Sequence, residues 1–174
     1  MTTSNTERNA DATLPQNVTV VGAGTMGGGI ATSLLLAGHH VALYDTRADA
    51  LTRARERAHR RAADAVAAGR LTLTTDLAEA VAAADFVIEA VPEVLELKRE
   101  LFARLHELAP AHAVLASNTS ELSVTAIAGA TLRAAQVVGM HWFNPPERMV
   151  LVEVVRAVQT SDATLAATLS LASS

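Results

Sequence analysis

The feature that most constrains the fold is a group of glycines placed between a predicted strand and a predicted helix. Gly22, Gly24 and Gly27 form the pattern G-x-G-x-x-G after the apolar residues 17–21. The first glycine of such a pattern allows a tight turn, the second admits a diphosphate, and the third lets the helix pack against the strand. The N–H groups at the start of the helix then bind the diphosphate. The pattern predicts a dinucleotide site contacted by these glycines together with Thr25 and Met26.

An acidic residue stands where such a site needs one. Asp45 follows the second predicted strand, 45 − 22 = 23 residues after Gly22, and a ribose-binding carboxylate is expected about 20 residues after the glycines. A carboxylate accepts a hydrogen bond from the 2′-hydroxyl of NAD and repels the 2′-phosphate of NADP. We therefore predict NAD as the cofactor, although Arg47 could weaken that preference. The alternative is that Asp45 only caps a loop.

Strands and helices alternate along the chain. This order predicts an α/β fold with a doubly wound, mostly parallel sheet, the Rossmann-like class. The strands are predicted over 17–21, 40–44, 71–74, 86–90, 113–116, 137–140 and 150–155, and the longer helices over 26–37, 48–68 and 94–108. In the helix over 94–108 the predicted buried stripe consists of Leu97, Leu101, Leu105 and Leu108. A last helix, capped by Thr160 or Ser161, begins near the end of the 174 residues.

Composition excludes several classes of protein. The net charge of −4 argues against nucleic acid as a partner, because binding it requires a basic face. The chain contains no cysteine, which excludes disulfides, zinc–thiolate sites and thiol nucleophiles, and no metal site is predicted. Apolar runs are too short to cross a membrane. Residues 1–16 are polar and do not form a signal peptide, so we expect a flexible tail before one domain over 17–174, in a cytoplasmic protein.

A histidine and a glutamate near the end of the chain form a candidate acid–base pair. Oxidation of a secondary alcohol requires removal of the hydroxyl proton, and a neutral imidazole suits this task because histidine titrates near neutral pH. His141 follows a strand at the carboxyl edge of the sheet, where ligands of such folds bind. Glu153 interrupts the apolar strand VLVEVV and needs a partner there. A carboxylate on the second ring nitrogen would orient the imidazole.

Three further stretches identify a family. They are I-E-A-V-P-E at 88–93, S-N-T-S at 117–120 and G-M-H-W-F-N-P at 139–145. In order and separation they resemble the L-3-hydroxyacyl-CoA dehydrogenases of fatty-acid β-oxidation, including the 3-hydroxybutyryl-CoA dehydrogenases. The resemblance covers residues 17–174. It implies an oxidoreductase that transfers a hydride between an L-3-hydroxyacyl-CoA thioester and NAD.

The resemblance also assigns roles to single residues. It implies His141 as the base and Glu153 as its orienting partner. It implies that Ser120 binds the 3-oxygen of the substrate and that Asn144 positions the nicotinamide. Glu93 and Lys98 are implied in cofactor contacts. Simpler alternatives are that Ser120 caps the helix after it, that Glu93 merely begins a helix, and that Lys98 is solvated. Trp142 and Phe143 are as readily explained by packing as by substrate contact.

Two departures from the family pattern leave the function open. The segment 48–70 is shorter than the helical arm that helps the family bind coenzyme A. Its arginines at positions 53, 55, 57, 60 and 61 are expected either to meet phosphates or to form a solvated face. The family's last sheet strand, a further active-site asparagine and its C-terminal helical domain have no counterpart here. We therefore expect cofactor binding with little turnover unless a separate helical domain or a second copy completes the site.

The alternatives follow from these departures. One is an NAD-dependent dehydrogenase of a small free hydroxy acid or carnitine-like substrate, which would not need the longer arm. Another is a non-catalytic dinucleotide-binding module.

Overall fold

The computed structural model describes residues 15–174, and its sheet has the predicted doubly wound topology. The strands are β1 (Asn17–Val21), β2 (His40–Tyr44), β3 (Leu71–Thr74), β4 (Phe86–Glu89), β5 (Val114–Ser117), β6 (Val137–Trp142) and β7 (Val152–Arg156). They lie in the order β3-β2-β1-β4-β5-β6-β7. All neighbouring pairs are parallel except β6 and β7, which are antiparallel. The predicted fold class is therefore confirmed.

Helices cover both faces of the sheet. They are α1 (Thr25–Leu36), α2 (Ala48–Arg61), α3 (Ala63–Ala67), α4 (Leu77–Val81), α5 (Leu95–Leu108), α6 (Val124–Ala128) and α7 (Asp162–Ala172), with a short 3-10 helix at Ala134–Gln136. One apolar core lies between the sheet and α1, α2 and α7, and includes Ile30 and Leu34. The second lies under α4, α5 and α6, and includes Phe102 and Ile127. The central strands β1, β4, β5 and β6 are thus buried on both faces, which explains their continuous apolar runs in the sequence.

The end of each parallel strand at the carboxyl edge positions the candidate site. Val21, Glu89 and Ser117 end neighbouring strands, and Val21 pairs with Glu89, which pairs with Ser117. The loops after these strands therefore meet at one edge of the sheet. After β3, the outermost strand on one side of the sheet, Asp76 caps α4 by accepting hydrogen bonds from two backbone N–H groups.

Two helices differ from the prediction. The helix expected over 48–68 is broken at Ala62, whose backbone is not helical. No glycine or proline marks the break, which allows Ala58, Ala62 and Ala65 all to pack in the core. In α5 the predicted stripe is only half right, because Leu97 and Leu108 are 40% and 37% exposed. The buried side of α5 is instead turned toward Lys98 and Phe102.

The predicted tail of residues 1–16 lies outside the described residues except for its last two members. The carbonyl oxygen of Pro15 lies 2.7 Å from the His39 ring nitrogen Nδ1. The backbone N–H of Gln16 donates to the carboxylate of Asp85 at 3.0 Å. These contacts attach residues 15 and 16 to the domain.

Candidate active site

The glycine loop has the geometry that a diphosphate requires. Gly22 has a φ of 104°, in the left-handed region that favours glycine, and a Cβ there would lie 2.8 Å from the carbonyl oxygen of Ala90. A Cβ at Gly24 would meet nothing within 4 Å, so space is open beside the backbone at the start of α1. A Cβ at Gly27 would overlap the carbonyl oxygen of Gly22. The three glycines thus provide the turn, the open cradle and the close helix packing that the sequence predicts.

Asp45 lies beside this loop at the end of β2. One of its carboxylate oxygens accepts a hydrogen bond from the N–H of Ala23 at 2.7 Å, and the other accepts from the N–H of Arg47 at 2.9 Å. Asp45 therefore caps the loop, which is the alternative role expected from its sequence position. Each oxygen has a second lone pair, so capping leaves acceptor capacity for a ribose hydroxyl.

The arginine that could weaken a preference for NAD is held by another carboxylate. The Arg47 guanidinium donates to both carboxylate oxygens of Asp49 at 3.1 and 2.6 Å, and Arg53 donates to the same carboxylate at 2.7 Å. Hydrogen bonds from Arg47 and then Arg53 hold the pKa of Asp49 well below its usual range. Asp49 thereby competes with any ligand phosphate for both guanidinium groups.

His141 and Glu153 form the predicted pair. They lie directly opposite each other on the antiparallel strands β6 and β7, an arrangement that places both side chains on one face. The Nδ1 atom of His141 lies 2.9 Å from Oε2 of Glu153. An ionised carboxylate can only accept a hydrogen bond, so Nδ1 carries a proton, and in the neutral imidazole Nε2 then presents a lone pair. The Phe143 ring packs beside the imidazole with 4.6 Å between ring centroids.

One cleft brings together residues from four separate parts of the sequence. Its volume is about 320 Å³, and its lining includes Met26, Glu93, Ser120, His141 and Asn144. Met26 comes from the first turn of α1, and the others come from the loops after β4 and β5 and from β6 with the loop after it. Three predicted catalytic residues, Ser120, His141 and Asn144, therefore line the cleft that Met26 of the glycine loop also borders. The fourth, Glu153, contacts His141 and does not line the cleft itself.

Glu93 organises the loop that carries Ser120. Its Oε1 atom accepts hydrogen bonds from the Thr119 hydroxyl and from the backbone N–H of Ser120, the latter at 3.0 Å. Burial opposes ionisation, but the hydrogen bonds from Thr119 and Lys98 outweigh it and lower the pKa of Glu93. The cap of α6 is Ser123. The suggestion that Ser120 caps this helix is therefore wrong, and its side chain is exposed at the cleft.

The suggestion that Lys98 is solvated is also wrong. Lys98 is 1% exposed, and its ammonium group donates to Glu89 at 2.6 Å and to the carbonyl oxygen of Val91 at 3.3 Å. It also lies 3.1 Å from Glu93. These three oxygens match the three donors of an ammonium group. Lys98 therefore supports the cleft by linking Glu93 to Glu89, the last residue of β4.

Two residues that support the site were not predicted from the sequence. Glu89 is fully buried and accepts hydrogen bonds from Lys98, from the Ser117 hydroxyl at 2.7 Å and from the N–H of Val91 at 2.7 Å. Burial raises the pKa of Glu89, while its positively charged and hydrogen-bonded partners act against the shift. A glutamate ending an otherwise apolar strand was the available signal, as it was for Glu153.

Asn118 is the second missed residue. Its side-chain oxygen accepts a hydrogen bond from the backbone N–H of Trp142 at 2.8 Å, and it also lines the cleft. Asn118 thus joins the loop after β5 to the end of β6. Trp142 itself is only 8% exposed and belongs to the core under α1.

Within residues 15–174, no group of three or more histidine, aspartate or glutamate side chains is arranged to hold a metal ion. None of the helices in this range is long and apolar enough to cross a membrane.

Comparison with known protein families agrees with the features described above. Residues 17–174 match the family described as 3-hydroxyacyl-CoA dehydrogenase, NAD binding domain. The chain belongs to this family. As a member of this family of NAD-binding domains, it takes NAD as its cofactor.

Individual relatives agree with the family. The chain is 46% identical over 158 residues to a 3-hydroxyadipyl-CoA dehydrogenase of Escherichia coli K12, covering 84% of this chain and 33% of the relative. It is 40% identical to the mitochondrial hydroxyacyl-coenzyme A dehydrogenase of Sus scrofa, covering 87% and 54%. Among solved structures, (S)-3-hydroxybutyryl-CoA dehydrogenase from Ralstonia eutropha superimposes with a TM-score of 0.85 at 34% identity, covering 91% and 60%. The chain therefore spans about one third to three fifths of these relatives.

Proposed function

We propose that this chain supplies the NAD-binding half and the acid–base pair of a dehydrogenase that interconverts L-3-hydroxyacyl and 3-oxoacyl thioesters. The observation that carries the proposal is the 2.9 Å contact between His141 Nδ1 and Glu153 Oε2 at a cleft that Met26 of the glycine loop also lines. An alcohol oxidation needs a proton acceptor beside a bound nicotinamide, and these elements meet that need.

The residues present fit an NAD molecule. The open space at Gly24 and the left-handed turn at Gly22 accommodate a diphosphate at the start of α1. The Asp45 carboxylate contacts the same loop and is available to bind the ribose. Asn144 and Glu93 line the cleft and are available for the nicotinamide end of the cofactor. When bound, NAD supplies the hydride acceptor for alcohol oxidation and, as NADH, the donor for the reverse direction.

Side chains of this domain accept and return the proton of the substrate hydroxyl. Glu153 accepts the hydrogen bond of Nδ1–H, which leaves Nε2 to take the hydroxyl proton of the substrate. The resulting imidazolium lies against the Glu153 carboxylate, whose negative charge stabilises it. Ser120 hydrogen-bonds the 3-oxygen of the substrate, whose charge changes during the reaction. In the reductive direction, Nε2–H returns the proton to that oxygen.

The substrate and the partner that completes the site are part of the proposal. Ser120 and Asn144 are exposed, so water has access to the reacting groups in this domain alone. Because exclusion of water and firm positioning of the substrate speed such reactions, we infer that a helical domain or a second copy covers the cleft. We expect low turnover by the 174 residues alone.

Two measurements test the proposal. Calorimetric titration of the chain with NADH tests the cofactor site, and oxidation of NADH by acetoacetyl-CoA tests the reaction with the chain joined to the helical domain of a family member. His141→Ala should abolish turnover and change NADH affinity by less than about twofold, because the imidazole acts on the substrate. Glu153→Gln should lower kcat with little change in NADH affinity.

The outcomes separate the alternatives. A chain that does not bind NADH, or a His141→Ala variant with the wild-type rate, would contradict the proposal. Faster turnover of free acetoacetate than of acetoacetyl-CoA would favour a free hydroxy acid as the substrate. Tight NADH binding without turnover of either substrate would favour a non-catalytic dinucleotide-binding module.

A further inference from the structure

The chain contains a glycine that the dinucleotide pattern does not explain. Gly29 follows the last glycine of the pattern by two residues and lies inside α1, where glycine is unfavourable relative to alanine. A Cβ at Gly29 would lie 2.8 Å from Cδ of Pro146 and 2.9 Å from Nη2 of Arg57. Gly29 therefore allows two other elements to approach the surface of α1 at one point.

The two elements that meet there are joined by a partly buried ion pair. The Arg57 Nε and Nη2 atoms donate to the two carboxylate oxygens of Glu147 at 2.5 and 2.7 Å. The side chains of Arg57 and Glu147 are 24% and 6% exposed. Two parallel hydrogen bonds fix the relative orientation of both groups as well as attracting them. Burial acts to raise the pKa of Glu147, but the hydrogen bond from Arg57 outweighs this effect. The pKa of Glu147 is therefore lowered, and its carboxylate stays ionised.

The third contact of Arg57 reaches the glycine loop. Its Nη1 atom donates to the carbonyl oxygen of Thr25 at 2.7 Å, and Thr25 is the first residue of α1. One guanidinium group on α2 is thus bonded at once to the start of α1 and to Glu147, which follows Asn144 by three residues.

The loop that carries Asn144 has few other attachments. It covers residues 143–151 between β6 and β7, and its last part is exposed, with Val150 fully accessible and Leu151 52% exposed. The buried members of this loop are Pro146 and the side chain of Glu147. A loop with little buried surface opens easily, so the pair with Arg57 is a main restraint on its position.

We propose that the Arg57–Glu147 pair, seated over Gly29, is a positioning device that holds the Asn144 loop at a set distance from the start of α1. The proposal rests on the proposed function, in which α1 binds the diphosphate of NAD and Asn144 contacts its nicotinamide. One device then sets the spacing between the two ends of a single bound cofactor. Arg57 and Glu147 act through these neighbours and are positioning residues.

A comparison of two ligands tests the device. ADP-ribose contains the adenosine and diphosphate of NADH but lacks the nicotinamide, so it reports the glycine loop alone. Glu147→Ala should weaken NADH binding about two- to tenfold, the effect of losing one net hydrogen bond, and change ADP-ribose binding less than twofold. Glu147→Gln, which retains one acceptor for Arg57, should give an intermediate NADH affinity. Both affinities are measured by calorimetry on the full chain.

Further variants separate positioning from other roles. If the pair acts as a unit, Arg57→Gln combined with Glu147→Ala should lower the ratio of NADH to ADP-ribose affinity no further than Glu147→Ala alone. Arg55→Gln, on the same helix with an exposed side chain, is the matched control and should leave both affinities unchanged. Thermal melts verify that each variant is folded. If Glu147→Ala does not fold, a ratio at least halved in Glu147→Gln still supports the device.

Failure of the device and failure of the proposed function give different results. A wild-type chain that binds neither ligand would refute the proposed function. A wild-type chain that binds both, with an unchanged affinity ratio in folded Glu147 variants, would refute the positioning device. Equal loss of both affinities in Arg57→Gln, with none in Glu147→Ala, would instead identify Arg57 as a phosphate ligand and also refute it.

Discussion

Replacement of the only lysine in the chain should destabilise the fold strongly. Lys98 is 1% exposed and pairs with Glu89, which is fully buried. Removing one partner of a buried ion pair costs about 3–5 kcal/mol, because the other charge is left without compensation. Glu89 keeps its hydrogen bonds from Ser117 and the N–H of Val91, so we expect Lys98→Met to lose about 3 kcal/mol of unfolding free energy near pH 7.

A double variant shows whether the unpaired charge is the cause. Glu89→Gln removes the charge but keeps an acceptor for its neighbours, so Lys98→Met with Glu89→Gln should lose only about 1–2 kcal/mol. Urea denaturation followed by circular dichroism gives both free energies. Arg99→Met, an exposed neighbour on α5, is the control and should change stability by less than about 0.5 kcal/mol. A double variant no more stable than Lys98→Met would refute the reasoning.

The deficit of Lys98→Met should also depend on pH. Burial already raises the pKa of Glu89, and removal of the lysine raises it further. When the pKa of a carboxyl group is higher in the folded state than in the unfolded state, protonation of that group stabilises the fold. The contribution is complete below the unfolded pKa of about 4.3 and is lost as the pH rises through the folded pKa. The deficit should therefore shrink as the pH falls from about 8 to about 5. A pH-independent deficit over this range would contradict an unpaired carboxylate.

Three other changes test separate parts of the domain. Asp45→Asn should weaken NADH binding several-fold and narrow its advantage over NADPH, measured by calorimetry; an unchanged ratio would exclude a ribose role for Asp45. Gly22→Ala should destabilise the fold by at least about 2 kcal/mol in urea denaturation, since its φ of 104° and the nearby carbonyl oxygen disfavour any Cβ; wild-type stability would contradict this. Two N–H groups at the start of the described chain donate to Asp85 and lower its pKa against the effect of burial. Asp85→Asn should therefore cost about 1 kcal/mol near pH 7, and the cost should vanish as the pH falls well below about 4; a cost that persists in acid would exclude the charge as its origin.

The parts of the site that the sequence predicts are those with a local pattern. The glycines, Asp45 and the strand order follow from spacing and from runs of apolar residues, and the pairing of His141 with Glu153 was inferred because a carboxylate in an apolar strand needs a partner. The residues that support the cleft were harder to predict from the sequence. The sequence predicts that Lys98 is at the surface, because a lysine on a helix is usually solvated. No residue adjacent to Lys98 in the sequence indicates that Glu89 lies 2.6 Å away.

The sequence by itself determined the alternation of strands and helices, the position of the dinucleotide loop and the residue types able to move a proton. These depend on interactions between residues close together in the chain, which leave a periodic or spaced pattern. Only the tertiary structure decided that β7 runs antiparallel to β6, that Lys98 is buried between two glutamates, and that Arg57 reaches a glutamate 90 residues away. Such contacts depend on how whole elements pack, and packing is set by the sum of many distant side chains, which no local pattern records.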